Sequence, residues 1–237
     1  MTADAPGNAT RNAWLTIGDP GLAEAVALSP AVDAVTVDLQ HSEIRNSRLA
    51  DLIRAIDLGG AHPMARLAGS DPAEIGRLLD LGFTGLIMPN VTSAPAAARF
   101  VNATRYPPRG PRSYGPVRKK GEADPWLWAM IESSEGLEAA AQIAAVDGID
   151  GLFVGPGDLG LSLGIGVGQN RQEPEFVEAL SRIREAAALA GCGLGIHSTE
   201  LAYSKKMFEE GFSLVTVWVD VAAVHSSLRT VEKGLSS

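Results

Sequence analysis

Two acidic residues, Glu132 and Asp158, stand just beyond short apolar runs, Leu127–Ile131 and Ile149–Val154. A carboxylate carried into a low-dielectric mouth without a partner is costly, and a divalent cation shared by two of them removes that cost. Two carboxylates that leave the other coordination positions to water and substrate oxygens suit Mg²⁺, or Mn²⁺ or Co²⁺, rather than a closed Zn²⁺ site. The bland alternative is that each acid caps the next helix or pairs with an arginine. Arg66 ends another apolar run; its permanent charge and planar fork can hold an oxyanion, or it can pair with Asp38. His41, just past Val37-Asp38-Leu39-Gln40, has a side chain able to carry a proton near neutral pH, or it is a hydrogen-bonded structural group. The stretch Gly155–Leu159 reads as a tight turn into a short helix, whose first N–H groups around Gly157 and Asp158 can receive a small carboxylate; glycines also simply make turns. His197 reads as structural or positioning, and His62 and His225 as structural or surface groups.

These residues need a scaffold that brings chain segments far apart in sequence to one place. Short β-rich runs near 13–17, 33–38, 62–67, 84–88, 127–132, 149–154, 193–197 and 214–219 alternate with helical segments near 20–28, 46–58, 72–81, 93–103, 134–145, 174–190, 199–210 and 221–232. Eight strand and helix pairs in a chain of this size predict a single (β/α)8 TIM barrel spanning 1–237, with 1–11 a flexible N-terminus. Barrel sites form at the carboxyl ends of the strands, and Asp38, His41, Arg66, Glu132, Asp158, His197 and Asp220 all fall there. The stretch 105–125, rich in Pro, Gly and Arg, is long enough to be a functional loop. Its basic residues suit either an acidic substrate tail or a solvated surface.

Composition excludes several alternatives. Twenty Lys plus Arg against 28 Asp plus Glu give a formal charge of −8, unlike the basic surface of a nucleic-acid binder. No run of eighteen apolar residues suggests a membrane span, and the lone Cys192 with a polar N-terminus points to a soluble, cytoplasmic protein. No lysine ends a strand, which disfavours Schiff-base chemistry. Gly-x-Ser-x-Gly and Gly-x-Gly-x-x-Gly are both missing.

Taken together, Val37–His41, Arg66 with Asp71-Pro72 and Asp80, Thr104–Pro108, Ile131-Glu132-Ser133 and Val154–Leu159 resemble, in order, the motifs of the HpcH/HpaI aldolase family of metal-dependent pyruvate aldolases. The resemblance covers about residues 12–230 and departs from the usual pattern at Gln40 and Met130. It implies that Glu132 and Asp158 hold the metal, that Arg66 binds the keto or enolate oxygen, and that His41 organises the catalytic base. It further implies that Asp80 of an adjacent subunit partners His41. A homo-oligomer is implied as well, a hexamer built as a trimer of dimers that exchange their last helix.

The expected reaction is reversible aldol cleavage of a 4-hydroxy-2-oxo acid to pyruvate and an aldehyde. Its partner is a small 2-oxo acid, held by Arg66 and the Gly157 and Asp158 backbone. The rival within enzymes is a lyase or decarboxylase acting through a metal-bound pyruvate enolate. The rival outside them is a non-catalytic barrel that binds a keto acid or serves as an assembly subunit.

Overall fold

The computed structural model describes residues 9–115, 117 and 124–236. Strands β1 (Thr10–Leu15), β2 (Ala34–Asp38), β3 (His62–Arg66), β4 (Gly85–Met88), β5 (Trp126–Ile131), β6 (Gly151–Val154), β7 (Gly193–Ile196) and β8 (Leu214–Val219) form a closed barrel in chain order. Every neighbouring pair runs parallel, β8 pairing back to β1. The helices are α1 (Pro20–Ala27), α2 (Leu49–Gly59), α3 (Pro72–Leu81), α4 (Ala94–Thr104), α5 (Ser134–Glu138), α6 (Ala140–Ala144), α7 (Pro156–Ser162), α8 (Pro174–Ala190), α9 (Leu201–Glu209) and α10 (Asp220–Leu235). This is the (β/α)8 barrel the alternation predicts. Of the stretch 1–11 expected to be a flexible end, Thr10 and Arg11 instead belong to β1, because Arg11 is fixed to Asp33 through a 2.8 Å Nε bond and a 2.6 Å Nη2 bond. Residues 1–8 lie outside the described residues.

Strand side chains alternate between two apolar layers. Val35, Val37, Ala65, Leu86, Leu127, Ala129, Ile131, Leu152 and Val154 face outward into a layer completed by the helices. Trp14, Ala34, Met64, Ile87, Trp128, Met130, Phe153 and Leu214 fill the inside. The interior is packed by large aromatics set against strand glycines: a Cβ on Gly151 would lie 2.2 Å from the Trp128 ring.

Caps fix where the helices begin. Asp19 accepts from the Leu22 N–H, Asp71 from the Ala73 N–H and Ser93 from the Ala96 N–H, each followed by a first-turn proline. At α5 the cap is Ser133, which accepts from the Gly136 N–H, while Ser134 opens the helix and shares hydrogen bonds with Ser162. At the closure of the barrel, the buried Asp220 accepts from the Thr16 and Ile17 N–H groups at 2.7 Å and from the Thr16 hydroxyl at 2.8 Å. Its strand-end position therefore serves to lock β8 to β1.

The last helix behaves differently from the others. In α10 only Asp220 is buried, and Val221, Val224, Leu228, Val231 and Leu235 are exposed. Among the described residues no helix is long and apolar enough to cross a membrane.

Candidate active site

The strand period carries the chemistry to the mouth. Along β5 the inward residues are Trp126, Trp128 and Met130, so the next inward position is Glu132. The same step takes β3 from Met64 to Arg66, β2 from Thr36 to Asp38 and β1 from Trp14 to Thr16. The register places Asp38 directly opposite Arg66 on neighbouring strands. A cavity of about 250 Å³ results. Trp14, Thr16, Asp38, His41, Arg66, Met130, Glu132, Gly155–Asp158, Gln169, His197 and Val219 line it. The structure thus brings His41, Arg66, Glu132, Gly157 and Asp158 together.

Asp38 is the hub of the polar wall. It is 1% exposed and accepts from Arg66 Nε at 2.9 Å, from Arg66 Nη2, from the Trp14 indole N–H at 3.2 Å, and from the Gln40 and His41 backbone N–H groups at 2.9 and 3.1 Å. Burial by itself would raise this carboxyl, but the Arg66 guanidinium outweighs it and holds Asp38 below the usual carboxylate range. Arg66 is therefore paired, and it also lies 5.1 Å from the Trp14 ring centroid. The pairing uses Nε and Nη2 and leaves Nη1 with no bond among the described residues. One edge of the fork is anchored and the other is free for a ligand oxygen. The two sequence readings of Arg66 are compatible for this reason.

Opposite this wall stand the two acids. Glu132 is 7% exposed and accepts a 2.6 Å bond from the Asn90 N–H. Burial, reinforced by the like charge of Asp158 and opposed by the Asn90 N–H, pushes its carboxyl up to about 7. Gly155 makes room for it, since a Cβ there would lie 2.7 Å from Glu132 Oε2. Among the described residues no three His, Cys, Asp or Glu side chains gather as a metal cage. What the site offers instead is a carboxylate pair short of positive charge, with open space beside it. That donor set fits a hard divalent cation completed by water or ligand oxygens.

His41 is exposed at the rim. His197 sits deeper, edge-on to Trp14 with centroids 4.8 Å apart, and its buried Nδ1 has no hydrogen-bond partner. Burial, with some help from Arg66, lowers its imidazole to about 4, so it is neutral at pH 7. Asp80 is absent from the cavity. It lies at the C-terminal end of α3, away from its own mouth, and pairs with Arg112 at 2.6 Å. The described part of the 105–125 stretch follows α4 and precedes β5, at the opposite barrel end. Its Arg105 and Arg109 pair with Asp147 and Asp124 rather than facing the cavity, and Arg118, Lys119 and Lys120 lie outside the described residues. Trp14, Thr16, Gln169 and Val219 carried no chemical signature in the sequence. Only the inward period of β1 and β8 marks Trp14, Thr16 and Val219, and nothing local marks Gln169.

Comparison with known proteins bears on the chain as a whole. The model of the HpcH/HpaI aldolase/citrate lyase family matches residues 12–226. The chain is 38% identical over 229 residues to the hydroxypyruvate/pyruvate aldolase of Rhizorhabdus wittichii, covering 92% of this chain and 90% of that protein. It is 32% identical over 222 residues to the 4-hydroxy-2-oxo-heptane-1,7-dioate aldolase of Salmonella dublin, covering 87% and 82%. The crystal structure of an HpcH/HpaI aldolase/citrate lyase family protein from Burkholderia cenocepacia J2315 matches with a TM-score of 0.89 at 29% identity, covering 97% of this chain and 95% of the other. With barrel and sequence likeness in accord over nearly its whole length, the chain belongs to the HpcH/HpaI aldolase/citrate lyase family and is a carbon–carbon lyase.

Proposed function

We propose that the protein catalyses the reversible aldol cleavage of a 4-hydroxy-2-oxo acid to pyruvate and an aldehyde. The observation that carries this is the convergence of Glu132 and Asp158 with the free edge of Arg66 and with His41 around one cavity. Names among the relatives support pyruvate chemistry: one is a hydroxypyruvate/pyruvate aldolase, another cleaves a 4-hydroxy-2-oxo dicarboxylate by its name.

Glu132 and Asp158 would hold a divalent cation, Mg²⁺, Mn²⁺ or Co²⁺, which when bound supplies Lewis acidity toward the 2-oxo oxygen. The remaining work falls to the chain. The Gly157 and Asp158 backbone N–H groups, in the first turn of α7, hold the carboxylate of the 2-oxo acid. His41 takes the proton of the 4-hydroxyl as the C3–C4 bond breaks, a contribution of typically ~10²–10⁴-fold. The bonding pair moves to C3, charge develops on the C2 oxygen, and Arg66 Nη1 meets it. A proton returned to C3 completes pyruvate while the aldehyde departs toward solvent. Asp80 of a neighbouring subunit steadies His41.

This arrangement needs other copies of the chain. The exposed apolar side of α10, and the groove of about 580 Å³ between α1 and α9 lined by Val26, Val32, Phe208, Val217 and Trp218, support exchange of the last helix within a homo-oligomer. The decisive test incubates metal-loaded protein with pyruvate and simple aldehydes, with and without chelator. Chelator-sensitive formation of a 4-hydroxy-2-oxo acid is expected. Turnover indifferent to chelator would refute the cation's part, and absence of turnover with every aldehyde would refute the aldolase reading.

A further inference from the structure

The cavity has a rim residue that its chemistry does not explain. Gln169 is exposed, hydrogen-bonds to nothing among the described residues, and yet lines the site, its Nε2 only 3.4 Å from where a Gly157 Cβ would stand. It lies in the segment between α7 and α8, where loose packing would be expected. Both of its chain neighbours are instead clamped.

On one side Arg171 is the clamp. Its side chain is 2% exposed, and its guanidinium is wrapped by carbonyls of its own loop. Nε donates to the Gly168 oxygen at 3.3 Å, Nη1 to the Ile165 oxygen at 3.4 Å, and Nη2 to the Gly166 and Ile165 oxygens, while Glu173 pairs with Nη1 at 2.7 Å. Gly160 leaves the space, because a Cβ there would fall 2.5 Å from Nη2. On the other side Asn170, at a φ of +53°, is tied to the connection after β7. Its Nδ2 donates to the Thr199 hydroxyl at 2.9 Å, and its Oδ1 accepts from the Ser198 hydroxyl at 2.9 Å and from the Thr199 N–H at 3.2 Å. Gln169 therefore projects from a fixed backbone.

We infer that Gln169 is a substrate-contact residue, its amide N–H₂ donating to the carboxylate of the bound 2-oxo acid above Gly157, and that Arg171 is the positioning residue that keeps it there. The inference deepens the proposed function and rests on that carboxylate lying at the start of α7. A neutral amide suits the place: it adds donors without adding positive charge to a site that already contains Arg66 and would contain a cation. An uncharged donor to an anion is also sensitive to exchange for Glu, which keeps the shape and reverses the sign.

The test is calorimetric binding of pyruvate, and of oxalate as an unreactive analogue, to the Mg²⁺-loaded full chain, together with steady-state kinetics. Gln169→Ala should weaken both ligands by ~10-fold, the size expected for one hydrogen bond to a charged group. It should raise KM while leaving kcat within about twofold, because the contact is uniform between ground and transition states. Gln169→Glu should weaken them further. Arg171→Lys should reproduce the loss alone but add nothing in the Gln169→Ala background, the non-additivity of residues acting through one contact. Additive losses would show that Arg171 only supports the fold and would overturn its part. Wild-type binding with Gln169→Ala unchanged would overturn the contact itself. A wild type that binds neither ligand would overturn it together with the reading it rests on.

Discussion

Arg66 grips Asp38 from the neighbouring strand through Nε and Nη2 and, among the described residues, leaves Nη1 unbonded beside the cavity that it lines. The carboxylate thereby aims the guanidinium and offsets its charge while the Trp14 indole N–H and two backbone N–H groups hold the carboxylate in turn. Asp38→Ala leaves an unpaired charge in a nearly buried place, and should destabilise the protein by about 3–5 kcal/mol in denaturant melts. Asp38→Asn keeps the shape but loosens the fork, so it should lower activity more than stability. Equal activity in Asp38→Asn would mean that Arg66 needs no aiming.

Arg66→Ala should abolish the exchange of pyruvate methyl protons with solvent deuterium, followed by NMR, since no other side chain in the cavity offers a permanent positive charge. Affinity for Mg²⁺ should stay largely intact, because Arg66 touches neither carboxylate by a hydrogen bond. Unchanged exchange would refute the oxyanion role.

Glu132 makes cation binding dependent on pH. With its carboxyl raised to about 7 by burial, a proton competes with the cation below that pH. The apparent Mg²⁺ affinity should rise by up to about tenfold per unit as pH approaches 7 and level off above it. The linkage to stability has the matching sign. The folded chain holds a proton on Glu132 that the unfolded chain releases near 4.5, so the contribution of this group to the stability of the metal-free protein is lost as pH rises from that value through 7. Glu132→Gln should remove both trends, as read by calorimetry and thermal melts.

His197 contributes the opposite slope over an overlapping range of pH, so the two are separated by their variants. Its imidazole is lowered to about 4 from an ordinary 6.5, so the unfolded chain takes up the proton first and the contribution of His197 to stability is lost as pH drops from about 6.5 to 4. His197→Phe, which keeps the ring against Trp14, should flatten that part of the melting curve. A variant with the same acid slope would show that the loss arises elsewhere.

Leu228→Asp on α10 should convert the proposed homo-oligomer to smaller species in sedimentation velocity and reduce turnover with it, because a charge is placed on the apolar side that the helix turns away from its own barrel. Full activity in a dissociated species would refute the need for a neighbour's Asp80.

The barrel and most of the cavity were legible because strand period and strand end are both written locally. Trp126, Trp128 and Met130 point to Glu132, and Pro174–Ala190 and Pro72–Leu81 read as helices to the residue. What was not legible depends on contacts across the chain. Gln169 lines the site from a loop braced by Arg171 and Asn170, and no sequence spacing encodes that. Asp220 looked like a site acid until the Thr16 and Ile17 N–H groups were seen to consume it. Arg105, Arg109 and Arg112, after α4, sit at the wrong end for their own cavity, an outcome fixed by barrel topology rather than by composition.

The packed interior has a consequence for the order of events. Beneath the site Trp128 and Phe153 are fully buried, so the cavity is a blind well with one way in and out. In the proposed reaction the pyruvate half is held by Arg66 and by the start of α7, whereas the aldehyde half meets only His41. Departure should then be ordered, aldehyde first and pyruvate last, and pyruvate alone should compete with the intact substrate as a product inhibitor.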